Sequence, residues 1–128
     1  MEQQFLVDSN TIIDYVGNKI PEASSLILDT YFNDNLSVSI ISKIEVLGFN
    51  DNYEEIKKLN EFIELANIFY IDEIIADKTI ELRKKYKIKL PDAIIAATAI
   101  VYNLILVSRN ITDFNKIEGI NIINPYTL

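Results

Sequence analysis

Short apolar runs alternate with helical stripes along the whole chain. Phe5-Leu6-Val7 is an apolar run that stops at Asp8, which predicts a buried strand. From Asn10 to Val16, Ile12, Ile13 and Val16 recur at helical spacing. Pro21 suits the first turn of a second helix, with Ala23, Leu26, Ile27 and Thr30 on one side. LSVSI at 36–40 reads as a second strand, and Ser42 as the cap of a short helix holding Ile44, Glu45 and Leu47. Asp51 then opens a helix whose Ile56, Leu59, Ile63 and Ala66 recur at three- and four-residue steps. IFYI at 68–71 predicts a third strand and Asp72 a cap, followed by a helix through Ile75, Thr79, Leu82 and Tyr86. A helix over about 91–102, a strand LILV at 104–107 and a last strand INII at 120–123 complete the pattern.

Strands alternating with helical segments imply an α/β fold: a mainly parallel central sheet of four to five strands, with helices on both faces. At 128 residues there is room for a single domain, 1–128, with a real core. In a parallel sheet all strand C-terminal ends share one edge, and open α/β sheets bind ligands along it. Asp8 ends the first strand at that edge. Glu45 lies in the first turns of the helix after the second strand, beside Ile44 and Val46, a place that reads as close to the core. Asp113 follows the LILV strand in the loop SRNITDF. Asp92 heads a helix that descends into that same strand, so its end of the helix lies at the ligand edge too. A helix N-terminus tolerates a carboxylate there, and both Asp8 and Asp92 also read as plain caps.

Composition narrows the chemistry. The chain has no Cys and no His, which excludes disulfides, thiol nucleophiles, imidazole bases and His-ligated metals. Any reaction must be carried by carboxylates. Gathered acids repel one another unless a cation neutralises them, and the oxygen-loving Mg²⁺ or Mn²⁺ are the ordinary choices. Asn10, Ser108 and Asn110 are neutral groups near the same edge, suited to supporting such a site. The formal net charge of −7 argues against broad electrostatic binding to nucleic acid. One basic cluster stands out, RKKYKIK at 83–89, with Arg83, Lys84, Lys85, Lys87 and Lys89 immediately before Pro91-Asp92. It reads either as a solvated helix end or as a rim that contacts phosphate.

The apolar stretch from Ala93 to Val107 is broken by Thr98 and Asn103 and is shorter than the roughly 18–20 residues of a membrane span. The N-terminus MEQQFLVDSN lacks the basic-then-apolar layout of a signal peptide. The expectation is a cytoplasmic protein without a membrane partner.

FLVDSN, ISKIEVLG, LPDAIIAATA and LVSRNITDF, in that order and over nearly the whole chain, resemble the PIN domain, specifically the VapC-type toxin ribonucleases of bacterial toxin–antitoxin pairs. The resemblance implies a PIN-like three-layer sandwich and a Mg²⁺- or Mn²⁺-dependent endoribonuclease. It assigns the metal site and catalysis to Asp8, Glu45, Asp92 and Asp113, supported by Asn10 and Ser108. It further implies a structured RNA substrate such as tRNA or rRNA, a cognate small antitoxin protein and a homodimer. For so acidic a chain, RNA contact then falls to the 83–89 cluster, Lys43 and Arg109. Two other classes compete: a PIN-scaffold binding module with little catalysis, and a small metal-dependent phosphatase suggested by Asp8-Ser-Asn-Thr. In the second, Asn10 stands where another Asp is needed.

Overall fold

The computed structural model describes residues 3–48 and 52–128. Its centre is a five-stranded sheet built from β1 (Phe5–Val7), β2 (Leu36–Ser39), β3 (Asn67–Phe69), β4 (Ile105–Val107) and β5 (Asn121–Ile123). The strands run in the order β3-β2-β1-β4-β5 and every pairing is parallel. Parallel neighbours need crossover connections, and helices supply them. These are α1 (Ser9–Val16), α2 (Glu22–Phe32), α3 (Ile40–Gly48), α4 (Tyr53–Glu64), α5 (Glu73–Lys85), α6 (Leu90–Val101) and the short α7 (Ile111–Phe114).

Side-chain alternation along each strand divides the core in two. Phe5, Val7, Leu36, Val38 and Val107 face a cluster with Ile12, Leu28, Val46, Leu59 and Ile63, from α1 to α4. Leu6 and Leu106 face the other way, towards Ile75, Leu82, Ile94, Ile95, Phe114 and Ile117. The sheet is thus sandwiched between two helical layers, the arrangement expected from the sequence. Helix α6 is buried almost all round, from Ala93 through Ala99. Its small side chains let it lie close to its neighbours.

Several local readings shift. The second strand ends at Ser39, and Ser39, not Ser42, receives the Ile41 N–H at the head of α3 (3.2 Å). Ser42 sits inside the helix, buried, with a hydroxyl that finds no partner among the described residues. The buried face of α2 is Ser24, Leu28 and Phe32, while Leu26 is 61% exposed. The polar Ser24 hid that stripe, because its hydroxyl donates to the Leu128 carbonyl oxygen and is satisfied inside (3.2 Å). Strand β3 begins at Asn67 and leaves Tyr70 and Ile71 exposed. The helix start expected at Asp51 lies outside the described residues, and Asn52 caps α4 by accepting from the Glu55 N–H (3.1 Å). Asp72 caps α5 as expected, through the Ile75 N–H (2.8 Å).

Candidate active site

From β1 the chain moves one way to β2 and later returns on the other side as β4, so β1 and β4 flank a switch point in the strand order. Open α/β sheets carry their ligand crevice there, beyond the strands' C-terminal ends. A cleft of about 860 Å³ opens at that edge. Asp8, Glu45, Asp92 and Asp113 all line it, with Asn10 and Asn110.

Asp8 follows β1 directly and caps α1, accepting the Thr11 N–H at 3.0 Å. Val7 pairs with Val107, and the Asp8 N–H donates to the Val107 carbonyl oxygen at 3.2 Å. That register sets the fully buried Ser108 beside Asp8, where its hydroxyl donates to the second carboxylate oxygen. Burial pushes the Asp8 carboxyl above its ordinary range, against the pull of the Ser108 and Thr11 hydrogen bonds and of the Arg109 charge. Asp8 is therefore both the cap of α1 and a lining residue of the cleft.

Asp92 differs. Lys89 occupies the N-cap position of α6 with no side-chain hydrogen bond, Pro91 stands in the first turn, and Asp92 follows it. Its half-buried carboxylate caps nothing and lines the cleft. Burial raises its pKa first, then the charges of Asp8, Glu45 and Asp113, with Lys89 pulling the other way. Asp92 therefore feels the charge of the other three acids.

Glu45 is exposed rather than set against the core, because Val46 takes the inward position. It reaches the cleft along the α3 surface and accepts from the Ser9 hydroxyl at 2.6 Å. Asp113 lies on α7 and accepts from the Asn110 side-chain amide at 3.1 Å, while the Asn110 N–H donates to Ser108 Oγ at 3.0 Å.

The basic cluster divides. Arg83, Lys87 and Lys89 line the cleft; Lys84, Lys85, Lys43 and Arg109 do not. Lys85 instead pairs with Glu118 at 3.3 Å, and Arg109 lies 3.8 Å from Asp14 and over the Tyr126 ring. Lys116 lines the cleft too, and sequence reasoning missed it. It stands outside any basic run, and its one signal was its place three residues after Asp113.

The donor set suits a hard cation in kind, all oxygen and strongly anionic. Among the described residues no group of three acids yet stands ready to hold an ion. Both Asp8 oxygens, one of Glu45 and one of Asp113 accept hydrogen bonds from protein donors. Repulsion acts over ~4–6 Å, whereas coordination to Mg²⁺ needs about 2.0–2.1 Å. The residues fit a divalent ion in chemistry and electrostatics.

Fold and cleft together define an α/β protein with an acid-lined cleft at the switch point of a parallel sheet. Residues 5–120 match the PIN domain family, and the chain belongs to it. It is 30% identical over 122 residues to Ribonuclease VapC1 of Methanocaldococcus jannaschii, covering 91% of this chain and 83% of that protein. Among solved structures, a toxin–antitoxin complex from Klebsiella pneumoniae matches at 31% identity and a TM-score of 0.79, over 98% of this chain and 100% of that one. DNA-bound VapBC from Salmonella typhimurium shares the fold, with a TM-score of 0.82 at 24% identity, over 96% and 98% of the two chains.

Proposed function

We propose that this chain is the toxin of a type II toxin–antitoxin pair, a Mg²⁺- or Mn²⁺-dependent endoribonuclease that hydrolyses phosphodiester bonds in structured RNA. The observation that carries the reading is the meeting of Asp8, Glu45, Asp92 and Asp113, from four distant parts of the chain, in one cleft that also holds cations. Similarity to Ribonuclease VapC1 supports RNA as substrate, and similarity to a toxin–antitoxin complex supports an antitoxin protein as partner.

The four carboxylates are the residues that would hold the ion. A divalent cation, when bound, lowers the pKa of a coordinated water and draws charge from a phosphoryl oxygen. The chain's own groups do the rest. Ser108 and the Thr11 N–H fix the orientation of Asp8, the first turn of α6 holds Asp92 at the cleft, and cleft cations bind the flanking phosphates.

The test is incubation of purified, partner-free protein with total RNA and Mg²⁺ or Mn²⁺, beside EDTA and Asp92→Asn controls. Discrete products that disappear in both controls are expected. The Asp92→Asn rate should fall by more than about a hundredfold, beyond the 10–100-fold typical of losing a ligand's supporting contact. RNA left intact by a protein that binds the metal would sink the ribonuclease reading in favour of a binding module.

A further inference from the structure

We propose that Lys116 is an anchored phosphate-binding residue of the cleft, holding a phosphodiester oxygen of the RNA strand beside the acids. This rests on the ribonuclease reading and adds to it a contact outside the 83–89 cluster. Lys116 lines the cleft, and its ammonium donates to the Lys87 carbonyl oxygen at 3.0 Å. An ammonium carries three N–H donors, so one bond to the backbone fixes its position and leaves two for a ligand. Among the described residues, Arg83, Lys87 and Lys89 also line the cleft, and their side chains make no hydrogen bond. A flexible cation loses rotamer freedom when it grips a phosphate; one already held loses less.

The anchor is itself tied down. The Glu118 N–H donates to the Tyr86 hydroxyl oxygen at 3.0 Å, and Lys85 pairs with Glu118 at 3.3 Å. The 116–118 segment after α7 is thus joined to the last residue of α5, Lys85, and to Tyr86 and Lys87 of the α5–α6 connection. One consequence is that Lys116 keeps its place relative to Lys87. Another is that the cations come as a set in a chain whose net charge of −7 otherwise repels RNA.

The experiment measures binding of a fluorescein-labelled, mixed-sequence single-stranded RNA in EDTA by anisotropy, across a salt series, separately from cleavage in Mg²⁺. The proteins are full-length wild type, Lys116→Gln, Lys116→Arg and Lys57→Gln, the last an exposed cation on α4 outside the cleft and the 83–89 cluster. Lys116→Gln is expected to weaken Kd about three- to tenfold and to reduce the slope of log K against log salt by about one, as loss of a single phosphate contact does. Lys116→Arg should restore the slope, and Lys57→Gln should match wild type. A Lys116→Gln protein with wild-type Kd and slope overturns the assignment and leaves the ribonuclease reading intact, as does a wild type that cleaves RNA but shows no binding in EDTA. A slope that depends on Lys116 in a protein unable to cleave RNA upholds the contact and rejects the ribonuclease reading.

Discussion

Ser108 donates its hydroxyl hydrogen to Asp8 from a hundred residues away, inside the sheet's ligand edge. The contact follows from register: β1 and β4 pair Val7 with Val107, and the next residue of each strand meets the other. Ser108→Ala leaves a buried carboxylate short of one donor. Unfolding free energy should fall by about 1–3 kcal/mol, read from urea denaturation at neutral pH. An unchanged midpoint would mean that Asp8 takes its second hydrogen bond from elsewhere.

Stability of the metal-free protein should depend on Asp92 in a definite direction. Its carboxyl is raised above 3.8 in the fold, chiefly by burial and then by the neighbouring acids. Between 3.8 and the raised value the folded state holds a proton that the unfolded chain has released, so stability falls as pH rises through that window. Thermal melts in EDTA from about pH 4 to about pH 7 should therefore show Asp92→Asn gaining on wild type as pH increases. Parallel curves would mean that neither burial nor the neighbouring acids raise the Asp92 carboxyl in the fold.

Divalent ions should reverse that strain. Mg²⁺ or Mn²⁺ at about a hundredfold excess over Kd stabilises a one-site protein by about 2.7 kcal/mol. Differential scanning calorimetry should show a rise in Tm for wild type, and a much smaller one for Asp92→Asn. Equal rises in both would place the ion away from this cleft.

Packing around α6 gives a test that leaves the charges alone. Ala97 is fully buried in a helix covered on nearly every side. Ala97→Leu forces extra volume into a close-packed interior and should cost about 1–3 kcal/mol or more, measured by chemical denaturation. A neutral result would show that α6 has room to shift.

The acids at element ends were the legible part of the site. Asp8 and Asp92 sit where an apolar run meets a polar residue, and chain direction alone carries them to one edge of a parallel sheet. The apolar stripe of α4 was equally plain, since Leu59 and Ile63 are buried as spaced. The true face of α2 was obscured by Ser24, whose partner is a carbonyl more than a hundred residues away. Ser39 and Ser42 could not be ranked as caps, because both are buried serines and only backbone direction separates them. Lys116 escaped because its anchor is the Lys87 carbonyl, and a backbone acceptor leaves no mark in composition.

Of the five strands of the sheet, the central one is translated before the other four. β1 takes β2 as one neighbour early, but its other neighbour, β4, begins only at Ile105. A nascent chain therefore displays Asp8 and Glu45 well before Asp92, Ser108 and Asp113 have been translated. Translation that stalls midway yields a fragment with half of its carboxylates and no second wall. The order of synthesis thus acts as a delay: the assembled cleft appears only once β4 has been made and has docked beside β1.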